Sequence, residues 1–408
     1  MSSQTLLKNA RVFDGVRDEC PEGLNVLVED GLIKEVSASA RGSSTAQTID
    51  VNGMTLMPGM IDAHVHACAS DVDPSKVLQQ GEPYRTAFAA QFLGHALKCG
   101  FTTVRDVGGG SYSLARAVND KLIVGPRYFY AGRFLSMTGG HGDFRQQHEV
   151  EHPCSCAAVD SLGVIADGVD AVTHAAREEL RRGAHCIKIM ASGGVVSPTD
   201  PIWMSQYCED EIRAVVHETN ARRTYTAAHC HPAESIHRCA ELGVRSIEHG
   251  TLIDKKTAEF VAEQGCFVVP TMVIIFALQE QARSHPPAIQ QKLQSVFDSA
   301  LTSLKILKEA KVKLGFGTDL LGKLYTQQCR ELEIRARVFP AVDVLRQATS
   351  ISAELMNLQG RLGCIAPDAF ADLLVVDGDP LENINLLVAD GAHLKLIMRA
   401  GEIIKNEL

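Results

Sequence analysis

Five short apolar, β-prone runs in this 408-residue chain carry, at or near their ends, groups that can bind a metal or move a proton. They are His64-Val65-His66, Lys188 within CIKIM, His229-Cys230-His231, Glu248-His249 and Thr318-Asp319. Residues i and i+2 of a strand point to the same side, so His64 and His66 can offer two imidazoles to a single ion. Neutral imidazole and carboxylate suit zinc and related divalent cations. One HxH at a strand end carries little weight alone. His229, His249 and Asp319 at the ends of later runs turn it into a candidate metal centre, whose chemistry would be the activation of water.

Groups this far apart in sequence meet only where a fold gathers strand ends. Eight candidate strands alternate with amphipathic segments such as VTHAAREELRRGA and CEDEIRAVVHETNARR; they are GMIDAHVH, FTTVRDV, RYFYAGRFL, HCIKIMA, YTAAHCH, RSIEHG, CFVVPTM and KLGFGTD. This alternation predicts an α/β fold, a (β/α)8 TIM-type barrel. Its strands are buried on both faces, and functional groups project from their C-terminal ends. An open doubly wound sheet is the alternative. Residues 279–309 read as one or two helices, with Ser284-His285-Pro286-Pro287 as the break. Both ends of the chain read as short strands, with Asp30-Gly31 as a hairpin turn. The expected organisation is a small β-sandwich domain formed from both termini, residues 1–58 and 361–408, around a barrel of residues 59–360.

Composition narrows the function classes. A hydrophobic content of 45% with 22% charged residues is that of an ordinary globular protein. The net charge of −9 and the scattered Lys and Arg argue against nucleic-acid binding. The N-terminal segment is too polar for a secretory signal, and no run of roughly 18 apolar residues is available for a membrane span. A cytoplasmic protein with free thiols is expected. Cys154-Ser155-Cys156 has the wrong spacing for a CxxC redox or zinc pair. His95, His174, His217 and His237 fall within predicted helices and read as surface or packing residues. Trp203, on a Pro-rich segment, could wall the barrel mouth or anchor its loop.

The motifs MPGMIDAHVH, IKIMASGGV, AAHCH, SIEHGT and GFGTD occur in an order that resembles the amidohydrolase superfamily, and the tail CIAPDAFADLLVVDGDPL with IMRAGE resembles it too. That resemblance implies two divalent metal ions, zinc by expectation. His64, His66 and Asp319 would hold one and His229 and His249 the other. Lys188, carboxylated by CO2 to an anionic carbamate, would bridge them. It also implies that a metal-bridged hydroxide attacks the scissile carbonyl while Asp319 takes its proton and returns it to the leaving amine. His231 could be a further ligand by its position; the resemblance assigns the ligand to His229, leaving His231 as a catalytic substrate contact. His141, in TGGHGD, resembles a family loop that reaches the substrate. Tyr225 is a further substrate-binding candidate.

Within the superfamily, the chain is most similar to prolidase-like dipeptidases, carboxypeptidases for N-acylated amino acids and ochratoxin-degrading amidases. The substrate implied is a small or dipeptide-like amide whose amino-acid part keeps a free carboxylate, and a homo-oligomer is expected. The alternatives are a mononuclear cyclic amidohydrolase of imidazolonepropionase type, using His64, His66, His249 and Asp319 without carboxylated Lys188, and a lactonase or esterase on the same scaffold. A non-enzymatic scaffold would be expected to have lost several of these ligands.

Overall fold

Apolar residues of the strands at the two chain ends share one buried cluster, so these strands cover each other. The computed structural model describes residues 3–145, 147, 162–197 and 199–408. It begins with β1 (Gln4–Val12), β2 (Leu24–Glu29), β3 (Leu32–Ser37), β4 (Gln47–Asp50) and β5 (Thr55–Pro58). β1 pairs antiparallel with β2, parallel with β4 and, through Arg11 and Val12, parallel with β5. Asp30 and Gly31, with φ of 48° and 82°, make the β2–β3 hairpin turn with the left-handed backbone that two-residue loops need.

The barrel strands follow as β6 (Met60–Val65), β7 (Phe101–Asp106), β8 (Arg127–Tyr130), β9 (Phe134–Ser136), β10 (Gly163–Ile165), β11 (Ile187–Met190), β12 (Thr226–Pro232), β13 (Ser246–Leu252), β14 (Phe267–Val269) and β15 (Lys313–Leu314). Their pairings are parallel, β6-β7-β8 in one set and β10-β9-β11-β12-β13-β14-β15 in the other. Backbone hydrogen bonds join the sets, from His185 N–H to the Tyr130 carbonyl (2.8 Å) and from Ala63 N–H to the Phe316 carbonyl (2.7 Å). Every residue of β6, β7 and β11 is buried. Helices covering one face and packed side chains filling the other explain why these strands read as continuous apolar runs.

Two expectations about the barrel are corrected. RYFYAGRFL is two strands, because Gly132 breaks it at φ 78° where a Cβ would lie 2.2 Å from Glu179 Oε2. CFVVPTM is a strand only to Val269; Met272 begins the helix Met272–Glu280. The break near Ser284 lies where expected, between that helix and the helix Pro287–Glu309.

After the barrel, β16 (Leu373–Val376), β17 (Leu394–Arg399) and β18 (Glu402–Asn406) return to the N-terminal strands. β16 pairs antiparallel with both β5 and β17, and β17 with β18. Leu7, Val28, Ile33, Leu56, Val375, Leu396 and Met398 share the buried interior of this β-sandwich, each contributing roughly 1.5–3 kcal/mol by burial. Its connection to the site is direct, since β5 runs across Gly59 into β6, the strand that carries His64. Cys154-Ser155-Cys156 lies outside the described residues. Among those described, no helix is long and apolar enough to cross a membrane.

Candidate active site

His64 and His66 leave the end of β6 on one side, and Asp319 meets them from the segment after β15. Asp319 Oδ1 lies 3.4 Å from His64 Nε2 and 3.3 Å from His66 Nε2, and the three donor atoms fall within 4.8 Å of one another, close enough for one ion. The His249 ring, from β13, is 5.0 Å from that of His64 and 4.5 Å from that of His229 on β12. Lys188, His229, His231, His249 and His141 line the same cavity as His64, His66 and Asp319. With its open mouth the cavity measures about 590 Å³. Sequence-distant strand ends have thus converged.

The outer partners of the imidazoles decide which nitrogen faces the cavity. His64 Nδ1 is 2.6 Å from Glu248 Oε2, and His66 Nδ1 is 3.0 Å from the Gly108 carbonyl. Both partners only accept, so both Nδ1 atoms donate and both Nε2 atoms are left with lone pairs. His229 is turned over, its Nε2 donating to the Gly193 carbonyl at 3.3 Å and its Nδ1 left bare. His249 Nδ1 sits 2.8 Å from Thr271 Oγ1. His64 Nε2 is buried and has no hydrogen-bond partner among the described residues. Bare, converging imidazole nitrogens beside an anionic carboxylate are the donor set that a divalent cation requires, so these residues fit a metal.

Lys188 is 1% exposed and makes no hydrogen bond or ion pair among the described residues. Burial pulls its amine below the ordinary lysine range, and Glu248 and Asp319 offset only part of that shift. A buried amine with this tendency to be neutral is the form that reacts with CO2.

Contacts between remote strands support the site. Glu248, on β13, is wholly buried and bound by Arg105 Nη2 at 2.8 Å as well as by His64. Burial works against its charge, but Arg105 and then His64 outweigh it and keep the carboxylate ionised. Asp62 receives Thr318 Oγ1 at 2.6 Å and Gln328 Nε2 at 2.8 Å, fixing the segment that presents Asp319. His249, Thr271 and Asp319 adopt φ of 73°, 47° and 55°, a left-handed conformation uncommon outside glycine and costing of order 1–3 kcal/mol each. The left-handed backbone at His249 and Asp319 turns these side chains toward the cavity they line. Arg105→Met is expected to leave Glu248 without its cationic partner and to lower unfolding free energy by roughly 3–5 kcal/mol in urea denaturation; an unchanged midpoint would contradict this support role.

The remaining candidates fall unequally. His231 Nδ1 lies 3.1 Å from Thr251 Oγ1, and burial lowers its imidazole to about 3, so it stays neutral. His141 stacks on His229 at 4.1 Å and contacts Ser197 Oγ through Nδ1 at 2.8 Å, and burial brings it down to about 4. Its ring lies on Gly194, where a Cβ would stand 2.2 Å from His141 Cε1. Lys292 Nζ braces that loop by donating to the carbonyls of Gly194, Ser197 and Asp200. Tyr225 is not brought to the cavity. It immediately precedes β12, at the opposite end of the barrel, and packs with Cys186, Phe267 and Leu355. Trp203 is 73% exposed and does not line the cavity. The apolar wall is built instead by Ile274, Ile275 and Leu278 of the helix after β14 with Leu293 and Val296 of the next.

Comparison with known proteins agrees with this geometry. The sequence profile described as "Amidohydrolase family" matches residues 55–404. Ochratoxinase of Aspergillus niger is 29% identical over 370 residues, spanning 86% of this chain and 76% of the relative. The crystal structure of an amidohydrolase superposes with a TM-score of 0.96 at 45% identity, covering 100% of both chains. That of a prolidase complexed with N-methylphosphonate-L-proline gives 0.96 at 43% identity, covering 99% of this chain and 100% of the other. With a parallel barrel, a terminal sandwich and a His/Asp metal site at the strand ends, the chain belongs to the amidohydrolase family of hydrolytic enzymes.

Proposed function

We propose that the protein is a binuclear metal-dependent hydrolase that cleaves an amide bond next to an amino acid with a free carboxylate, as in a dipeptide, an N-acyl amino acid or an ochratoxin-like amide. Buried Lys188 carries this reading: an amine with no partner among the described residues shares its cavity with two sets of metal donors, His64, His66 and Asp319 on one side of the assignment and His229 and His249 on the other. Carboxylation joins the neutral Lys188 nitrogen to the carbon of CO2 with loss of one proton. The product is an anion with two oxygens, suited to bridging. The bound metals would supply Lewis acidity to activate water and polarise the scissile carbonyl.

The chain's own groups supply the rest. Asp319 takes a proton from the attacking water and delivers it to the leaving nitrogen, so one water is consumed and an acid and an amine are released. With Thr251 donating to its Nδ1, His231 donates from Nε2 to the developing oxyanion or to the substrate carboxylate. His141 lies on the cavity wall where it can contact the substrate, and Ile274, Ile275 and Leu278 receive its apolar part and exclude water.

A panel of dipeptides, N-acyl amino acids, their C-terminal amides and lactones tests the assignment. Free-carboxylate amides are expected to be hydrolysed with kcat/KM roughly 10- to 100-fold above their amidated counterparts, the value of a charge-assisted hydrogen bond or two. Equal rates on the amidated forms, or a preference for lactones, would refute it.

A further inference from the structure

A second group of metal-binding side chains lies away from the barrel mouth, and none of its members lines the cavity. His95 and Cys99 stand one turn apart at the end of the helix Glu82–Lys98, where Cys99 is the capping residue. Cys99 Sγ is 3.4 Å from His95 Nε2, and donor atoms of His95, Cys99 and Asp390 lie within 4.8 Å of one another. Cys329, preceding the helix Arg330–Ala336, adjoins both the Cys99 sulfur and the Asp390 backbone. Both cysteines are buried and unbridged, His95 is half-buried and Asp390 is exposed.

Three remote parts of the chain are built onto this point. The Asp390-Gly391 turn has φ of 48° and 78°, and a Cβ on Gly391 would stand 2.1 Å from the Lys98 carbonyl oxygen. Only glycine lets the turn settle on the helix end. His95, Cys99 and Asp390 supply three donors within 4.8 Å of one another, and the neighbouring Cys329 sulfur would supply the fourth that closes a tetrahedral zinc site. Usual Zn–S and Zn–N lengths place such sulfur and nitrogen atoms about 3.6 Å apart, close to the spacing seen.

We propose that His95, Cys99, Cys329 and Asp390 form a second, structural site for a thiophilic divalent cation of the zinc class, clamping the C-terminal tail to the barrel. Binding displaces the protons of the Cys99 and Cys329 thiols to solvent and leaves both sulfurs as ligands. The function proposed for the barrel mouth does not enter this assignment. Its donors there are nitrogen and oxygen, whereas the second site offers sulfur.

Titrating the metal-free, reduced full chain with Co2+ separates the two sites, because sulfur ligation produces an intense near-ultraviolet charge-transfer band. The band is expected to saturate at one equivalent for this site, to be bleached by Zn2+, to vanish in Cys99→Ser and Cys329→Ser, and to persist in Lys188→Ala. Asp390→Asn alters an exposed side chain and spares the core. It should weaken Co2+ binding at this site about tenfold or more while amide hydrolysis is unchanged. Absence of the band at saturating Co2+, its survival in Cys99→Ser, or undiminished affinity in Asp390→Asn would overturn the four-ligand assignment. So would a Cys99–Cys329 disulfide in protein isolated without reductant, which would make the pair a redox clasp instead.

Discussion

Replacing Lys188 by alanine is expected to lower kcat/KM for amide hydrolysis by about 10³-fold or more, a loss of about 4 kcal/mol in transition-state stabilisation. The fold should survive, because the change removes a buried amine that no group among the described residues satisfies and opens space beside an existing cavity. Metal content should fall with activity, since the only proposed bridge between the two donor sets has gone. Acetate or propionate with added divalent metal is expected to restore part of the rate, because a short carboxylate has the charge and the two oxygens of the missing carbamate. An active Lys188→Ala variant would favour the mononuclear alternative, which uses His64, His66, His249 and Asp319 without it.

Asp319→Asn should reduce kcat by about 10³-fold, within the range for loss of a positioned acid–base group, with KM changed by much less. Asparagine is the informative replacement because it tolerates the left-handed backbone that Asp319 adopts at φ 55° and matches its shape. Its backbone N–H can still reach the His64 carbonyl, 2.8 Å away in the native chain. What disappears is the carboxylate anion, and with it the proton acceptor. Steady-state kinetics with a metal assay check this. A variant that keeps its metals and its kcat would exclude Asp319 from proton transfer.

The pattern that led to the site was written in strand periodicity. His64 and His66 share a face because strands repeat every two residues, and strand-end position gathered Lys188, His229, His249 and Asp319 with them. Their supports were not legible in that pattern. Arg105 and Glu248 are distant in sequence and meet only across the barrel interior, where each is wholly buried. The helix Met272–Glu280 carries apolar residues almost all round, so its periodicity could not separate it from the strand before it. Tyr225 looked useful for its hydroxyl, but a residue preceding a barrel strand faces the end opposite the active site. His95 read as a surface or packing residue because it falls within a helix, away from the strand ends. Cys329 and Asp390 join it only through tertiary contact.

The central claim is a pair of metal ions bridged by carboxylated Lys188, and the most direct measurement is anomalous diffraction from crystals of the metal-loaded enzyme grown with bicarbonate. Two anomalous peaks at the barrel mouth are predicted, one beside His64, His66 and Asp319 and one beside His229 and His249, with continuous density for a carboxylate extending from Lys188 Nζ between them. A single peak beside His64, His66 and Asp319, with Lys188 ending at a bare amine, would contradict the account.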